Sequence, residues 1–246
     1  MKYNQDLEYL KKYIKENNLD DNYYNECIKE LEKGKPIQYI IGNVDFYGNI
    51  IKVNKNVLIP RFETELLVDL TIKKIKQKFR NTKIDIIDLG TGSGCIAISL
   101  KKELNANVDA LDISKEALEL AKDNAKSNST NINFINKDMT TYKDKKYDVI
   151  ISNPPYIKYD EEIMDIVKNN EPHLALYAED EGLYFYKKII DNIPYITKEK
   201  YLICFEIGYT QSQAIAAYAI ENLKDINISI EKDYSNKDRF IFIEKE

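Results

Sequence analysis

The spacing of apolar positions along this chain changes several times, and each change predicts an element. Leu7, Leu10 and Ile14 fall on one helical face, and Tyr24, Cys27, Ile28 and Leu31 fall on another, so residues 1–33 read as a short helical segment closed by Gly34-Lys35-Pro36. Between residues 37 and 58 apolar and polar positions alternate, with Gly42 and Gly48 as punctuation, which predicts a β-hairpin. Pro60-Arg61-Phe62-Glu63-Thr64-Glu65 then leads into a helix reaching about Lys78. From Ile84 onward short β-branched runs alternate with helical ones: strands near 84–88, 107–112, 132–135, 147–152 and 200–206, helices near 95–103, 115–127, 181–192 and 211–222, and a weaker helical pattern around 161–169. Such alternation predicts an α/β protein whose parallel sheet is covered on both faces. The last two apolar runs, 226–230 and 239–243, have no helix between them and predict an antiparallel pair at one sheet edge.

Composition narrows the function classes. A chain of 246 residues holds one large domain, or one with a small appendage, and can bury a full core without staples. Its net charge of −5 and its three dispersed arginines, Arg61, Arg80 and Arg239, lack the basic stripe of a dedicated nucleic-acid binder, so stable nucleic-acid binding is not expected. Cys27, Cys95 and Cys204 are odd in number and far apart, which argues against a disulfide framework and against a metal site. The polar start Met1-Lys2-Tyr3-Asn4-Gln5-Asp6 has no signal-peptide core, and no run approaches the ~18 apolar residues of a membrane span, so a cytoplasmic protein without membrane contact is expected.

Candidate chemistry concentrates at the predicted strand ends, where open α/β sheets bind ligands. Asn153-Pro154-Pro155-Tyr156 follows the apolar run 147–152. Two prolines stop the strand, because neither can donate to a ladder, and the rigid loop presents one amide side chain and the Pro154 carbonyl. Together these can accept two hydrogen bonds from a planar NH₂ group, as an amide or an exocyclic amine offers. Asp88-Leu89-Gly90-Thr91-Gly92-Ser93-Gly94 links a strand to a helix, a nucleotide-binding corner. A dinucleotide fingerprint would place glycine at 95, where this chain has Cys95, and no Lys-Ser/Thr pair follows for a phosphate loop. The turn therefore suits a ligand without phosphates, such as S-adenosylmethionine. Asp112 ends the next strand, 18 residues after Gly94, where a carboxylate can accept both ribose hydroxyls.

These pieces resemble the peptide chain release factor glutamine methyltransferases, the PrmC/HemK family. The matching residues are Pro36-Ile37-Gln38-Tyr39-Ile40-Ile41-Gly42, Phe46-Tyr47-Gly48, Pro60 to Glu65, Asp88 to Gly94, Asn153 to Tyr156, Glu171-Pro172 and Glu206-Ile207-Gly208, covering roughly 34–246. The glycine turn is common to many methyltransferases and Asn-Pro-Pro-Tyr also occurs in adenine N6-methyltransferases; the segments ahead of the turn narrow the match. The resemblance implies a seven-stranded Rossmann-like class I methyltransferase sheet, with a helical segment over 1–33, a hairpin linker over 34–59 and the methyltransferase domain over 60–246. It implies S-adenosylmethionine as cofactor and methylation of the glutamine amide in the Gly-Gly-Gln motif of translation release factors; apart from the resemblance, a monomer is expected. Carried onto this sequence, it makes Asn153, Pro154 and Tyr156 catalytic and Asn153 to Tyr156 the substrate-binding loop. Gly90, Thr91, Gly92, Ser93, Gly94, Asp112, Met139 and Asn153 become the cofactor contacts, with Met139 beside the adenine where relatives often carry a large aromatic.

Other residues admit two readings. Tyr156 either packs its ring on the substrate amide or belongs to the core. Asp138 is either an adenine-edge contact or an exposed turn acid, and Glu171 either lines the pocket or is a solvated loop acid. Arg61, Glu63 and Glu65 either place a ligand or cap a helix, since acids favour a helix N-terminus. His173, the sole histidine, is expected to be a loop residue without a proton-transfer role. Two rival functions remain: an adenine N6-methyltransferase on RNA or DNA, with Tyr156 stacking on a flipped base, and a non-catalytic binding module, against which the intact glycine turn, Asp112 and Asn153 argue.

Overall fold

A computed structural model describes residues 2–80 and 82–246. Its centre is a seven-stranded sheet of order β5-β4-β3-β6-β7-β9-β8. The strands are β3 (Ile84–Leu89), β4 (Ala106–Asp112), β5 (Asn133–Asn136), β6 (Tyr147–Ser152), β7 (Thr197–Glu206), β8 (Asn227–Lys232) and β9 (Asp238–Lys245). Neighbours from β5 to β7 pair in parallel, and β9 runs antiparallel to both β7 and β8. The edge pair expected from the last two apolar runs is this β8–β9 hairpin. Ile86, Ile87, Leu89, Val149, Ile150 and Ile151 are fully buried, as central strands of a two-sided sheet require.

Two apolar layers cover the sheet. Helices α4 (Phe62–Phe79) and α5 (Cys95–Glu103) share one core cluster with the sheet, and α6 (Lys115–Ser127) adds Ala117 and Ala125 to it. Helices α8 (Tyr184–Ile196) and α9 (Ser212–Asn222) supply the other, through Ile189, Ile190, Ile193 and Ile215. The hairpin β1 (Asn43–Phe46) and β2 (Asn49–Lys52) inserts Val44, Phe46 and Ile51 into the first cluster. Helices α1 (Lys2–Asn17) and α2 (Asp21–Glu32) pack around Leu10, Cys27 and Leu31.

Four local expectations need correction. The first turns of 37–58 are helical: α3 (Ile37–Ile41) starts after Pro36 and stops at Gly42, whose φ of 85° closes it in the left-handed region, and Ile37 and Ile41 complete the α1–α2 core. The expected helix at 161–169 shrinks to the single turn α7 (Asp165–Lys168). Helix α8 starts at Tyr184 and carries Pro194 in its last turn, beyond the expected end at 192. Pro194 removes one ladder donor, that toward Ile190 O, and the helix is closed by Thr197, whose N–H and hydroxyl both donate to Ile193 O. Strand β7 extends three residues earlier than expected, to Thr197, because Tyr147 pairs with Thr197 ahead of a register shift.

Candidate active site

The chain adds β3, β4 and β5 toward one sheet edge and then returns to lay β6 and β7 on the other side of β3, so its direction reverses between β3 and β6. A crevice opens at the carboxyl ends beside such a reversal. Here it is a cavity of about 450 Å³ lined by residues following β3 (Gly90, Thr91, Gly92, Ser93), ending and following β4 (Asp112, Ile113), following β5 (Asp138, Met139) and following β6 (Asn153, Pro155).

The glycine turn is built by backbone bonds. Gly90 and Thr91 N–H both donate to Leu111 O at 2.9 Å, tying the end of β3 to β4. Gly90 has φ 77° and Gly92 has φ 52°, values that L side chains rarely adopt. A Cβ on Gly90 would stand 2.9 Å from Met139 Cε, so the missing side chain is room given to the cavity wall. Gly94 differs: its Cβ would meet Ala121 Cβ at 3.1 Å, and it does not line the cavity. Its glycine permits α5 to pack against α6, a requirement apart from the cofactor contact expected there. Asn124 clamps the other side, with Nδ2 donating to Ser93 O at 2.9 Å and to Lys52 O at 3.0 Å while Oδ1 accepts from Lys52 N at 2.8 Å.

Asp112 is nearly buried. Its Oδ2 accepts from Gly92 N at 2.8 Å and its Oδ1 from Ser114 N at 2.9 Å. Burial raises its carboxyl above the usual range, and the backbone donors oppose that rise. Each oxygen keeps a second acceptor site, so a diol at the cavity wall has two partners. Asp88 lies beneath the turn with no exposure; its Oδ2 accepts from Thr91 Oγ1 at 2.6 Å, whereas Oδ1 has no hydrogen-bond partner among the described residues. Burial pushes its carboxyl up to about 7, against the pull of Thr91 and with some help from Asp112.

The donor set fits S-adenosylmethionine. A phosphate would want backbone N–H groups or a cation at the turn. Here the Gly92 N–H is already given to Asp112, and the wall beyond it is apolar Ile113 and Met139 with a carboxylate beside them. Asp138 lines this wall, its Oδ1 accepting from Thr140 N and Oγ1 at 2.8 and 2.7 Å.

Asn153 stands at the junction with a second cavity, lined among others by Leu58, Tyr156, Ile157, Met164, Leu176 and Glu206. Leu58, Arg61, Asn153 and Ala175 line both cavities. Pro155 lines the first and Tyr156 the second, while the Pro154 side chain is buried and lines neither. No described residue donates to the Pro154 carbonyl. Tyr156 packs on the α8 side of the core, and burial, with the nearby Glu206, raises its phenol. A phenol so shifted stays protonated at neutral pH and cannot serve as a base. The loop is held from behind: Gln211 Nε2 donates to Tyr156 O at 3.0 Å and Gln211 Oε1 accepts from Gly208 N at 2.9 Å. Gly182 presses on the same carbonyl so closely that a Cβ would lie 2.2 Å from it.

Glu171 corrects both of its readings. It is buried, lines neither cavity, and binds Arg61 Nη2 at 2.5 Å while Oε2 accepts from Ile59 N at 3.1 Å. It thus ties the loop before α8 to the segment that enters α4. Glu63 and Glu65 occupy the first turn of α4 and line neither cavity, in keeping with the capping reading. His173 Nε2 lies 2.9 Å from Lys168 O and outside both cavities.

Sequence reasoning missed Thr64, Ile113 and Glu206 as site residues. Ile113 is half exposed beside the strand-end acid, which was a usable signal. Thr64 Oγ1 accepts from Asn153 Nδ2 at 3.2 Å and donates to Glu206 Oε2 at 2.7 Å. Burial pushes the Glu206 carboxyl up to about 7.

Comparison with known proteins bears on the family and the fold. Residues 64–174 match the family model "Methyltransferase small domain". The release factor glutamine methyltransferase of Lactococcus lactis is 43% identical over 221 residues, covering 89% of this chain and 80% of that protein. The Bacillus subtilis protein of the same name is 41% identical over 217 residues, covering 85% and 75%. Among solved structures, a ribosomal protein L11 methylase from Lactobacillus delbrueckii subsp. bulgaricus superposes with a TM-score of 0.57 at 22% identity, covering 80% of this chain and 86% of that one, a likeness of fold.

Proposed function

The chain belongs to the release factor glutamine methyltransferase family, and from that premise we propose how its two cavities divide the work. The protein is an S-adenosylmethionine-dependent N-methyltransferase acting on the glutamine side-chain amide of release factors. In our reading the first cavity holds the cofactor and the second admits the glutamine, within its Gly-Gly-Gln motif. The observation that carries this reading is Asn153, whose amide lines both of them. Asp112 would accept from the ribose hydroxyls, Met139 and Ile113 would flank the adenine, and the turn 90–93 would lie along the cofactor's backbone.

When bound, S-adenosylmethionine supplies an activated methyl group on a positively charged sulfur. The protein has to prepare a poor nucleophile, because the amide lone pair is delocalised into the carbonyl. Asn153 Oδ1 and the Pro154 carbonyl would each accept one N–H of the substrate amide, turning its lone pair toward the first cavity. Orientation of this kind can supply on the order of 7–11 kcal/mol. Tyr156, held as a neutral phenol, would flank the amide without taking a proton. A strong base would add only ~10²–10⁴-fold, and the amide proton can leave to solvent once nitrogen is alkylated. Among the described residues no helix is long and apolar enough to cross a membrane.

The test offers release factor and RNA in parallel with methyl-labelled cofactor. Label on the release factor glutamine is the expected outcome; label on RNA alone would refute the reading. Asn153→Ala should keep cofactor affinity and lose methyl transfer steeply, and a wild-type rate in that variant would reduce the strand-end loop to a mere turn.

A further inference from the structure

The side chain of Asn153 presents two faces of opposite character, and a carboxamide can flip to exchange them. Only one orientation serves the substrate: Oδ1 toward the incoming N–H. The reversed orientation sets one N–H donor against another. Nothing on β6 enforces the choice, since Asn153 lies beyond the last paired residue, Ser152.

The enforcement comes from α4 and β7. Glu206 ends β7 with its side chain buried, and its Oε2 accepts from the Thr64 hydroxyl at 2.7 Å. A hydroxyl has one proton. With Glu206 Oε2 free of a proton, as in the carboxylate or in the acid protonated on its other oxygen, it takes the Thr64 proton, which then cannot also go to Asn153, so Thr64 accepts there. It does so from Asn153 Nδ2 at 3.2 Å. The flipped amide would bring Oδ1 against an oxygen with no proton to offer, leaving two acceptors opposed in a half-buried site. Thr64 is itself 3% exposed, so water does not readily replace it.

We propose that Thr64 and Glu206 are positioning residues, whose directed hydrogen-bond relay holds the Asn153 amide with Oδ1 facing the substrate. This rests on the reading that Asn153 receives the glutamine amide. The groups surrounding Glu206 are Arg239 on β9, Arg61 and Glu63 at the start of α4, and Tyr156 on the loop. None of them replaces Thr64 as the partner of Asn153 Nδ2.

The test is single-turnover methylation of a release factor at saturating cofactor, with cofactor affinity and melting temperature measured separately. Thr64→Val keeps shape and removes the hydroxyl, and methyl transfer should fall about a hundredfold at unchanged cofactor affinity. Thr64→Ser restores the hydroxyl and should recover most of the loss. Placed on Asn153→Ala, Thr64→Val should cause no further loss, because a residue acting only through Asn153 has nothing left to orient. Should Thr64→Val not fold, Thr64→Ala replaces it in the same cycle. Additive losses, or a Thr64→Val rate equal to wild type, overturn the relay while leaving the functional reading intact. A wild-type protein that methylates no release factor sinks both.

Discussion

Asp112 serves two tasks with one carboxylate. It shapes the glycine turn through Gly92 N and Ser114 N, and it offers its remaining acceptor sites to the cavity. Asp112→Ala should therefore weaken S-adenosylmethionine binding by roughly ten- to a hundredfold, the range of about 1.5–3 kcal/mol for hydrogen bonds to charged groups. Calorimetry on the folded variant decides, and unchanged affinity would remove Asp112 from the cofactor site. The glycines of the turn should separate by mechanism. A Cβ at Gly92 meets no atom within 4 Å, but Gly92→Val forces a branched residue to φ 52° and so carries a backbone-strain penalty, whereas Gly94→Ala is crowded by Ala121 and should loosen α5 from α6. Asp112 and Asn153 were legible in the sequence because each follows an apolar run at a predicted strand end. Thr64 and Glu206 were not, because their meeting bridges 142 positions and leaves no periodic trace.

At the scale of elements, the loop after β6 is held by a clip from two distant segments. Gln211 precedes α9 and Gly182 precedes α8, and both converge on the Tyr156 carbonyl. Asp180 and Glu181, with φ of 56° and 55°, sit in the left-handed region just before Gly182, so the chain spends conformational energy to bring this glycine against the loop. Gly182→Ala should cost about 1–3 kcal/mol of stability by overpacking and should impair methyl transfer, while cofactor affinity survives on the separate β3–β4 turn. Thermal melts with parallel affinity and rate measurements check this; a lost affinity with a preserved rate would contradict the clip. Elements with a strong period, such as α6 and β6, were readable to within a residue. Gly182 was not, since the need for glycine arises from a carbonyl 26 positions earlier in the chain. Similarly, α3 is too short for its period to emerge from the alternation around it.

At the scale of the whole molecule, two buried carboxyls, Asp88 and Glu206, are both pushed up to about 7, and Asp112 is raised as well. In the unfolded chain they return to the ordinary carboxylate range. The folded state thus holds protons more tightly, so this contribution to stability is fully present below the unfolded values, near pH 4, and is lost as pH rises through about 7. The cofactor-free protein should lose stability between about pH 4 and pH 7 and level off above that, with a slope of up to about 1.4 kcal/mol per pH unit for each group. Urea midpoints across that range test it, and Asp88→Asn should flatten the slope. Midpoints that rise steadily with pH would show that other groups govern.

The tie from Thr64 to Glu206 also has a consequence in time. The turn at Gly92 is tied to Asp112 over 20 positions, whereas Asn153 gains its orientation from Thr64, 89 positions away, which is itself held by Glu206 across 142 positions. Chains of this size often fold through populated intermediates, and long loops close at an entropic cost before their contacts reward them. Refolding protein should therefore acquire the capacity to capture S-adenosylmethionine before it acquires turnover. Stopped-flow refolding with fluorescent cofactor displacement, sampled alongside a quenched methylation assay, would expose that interval as a lag.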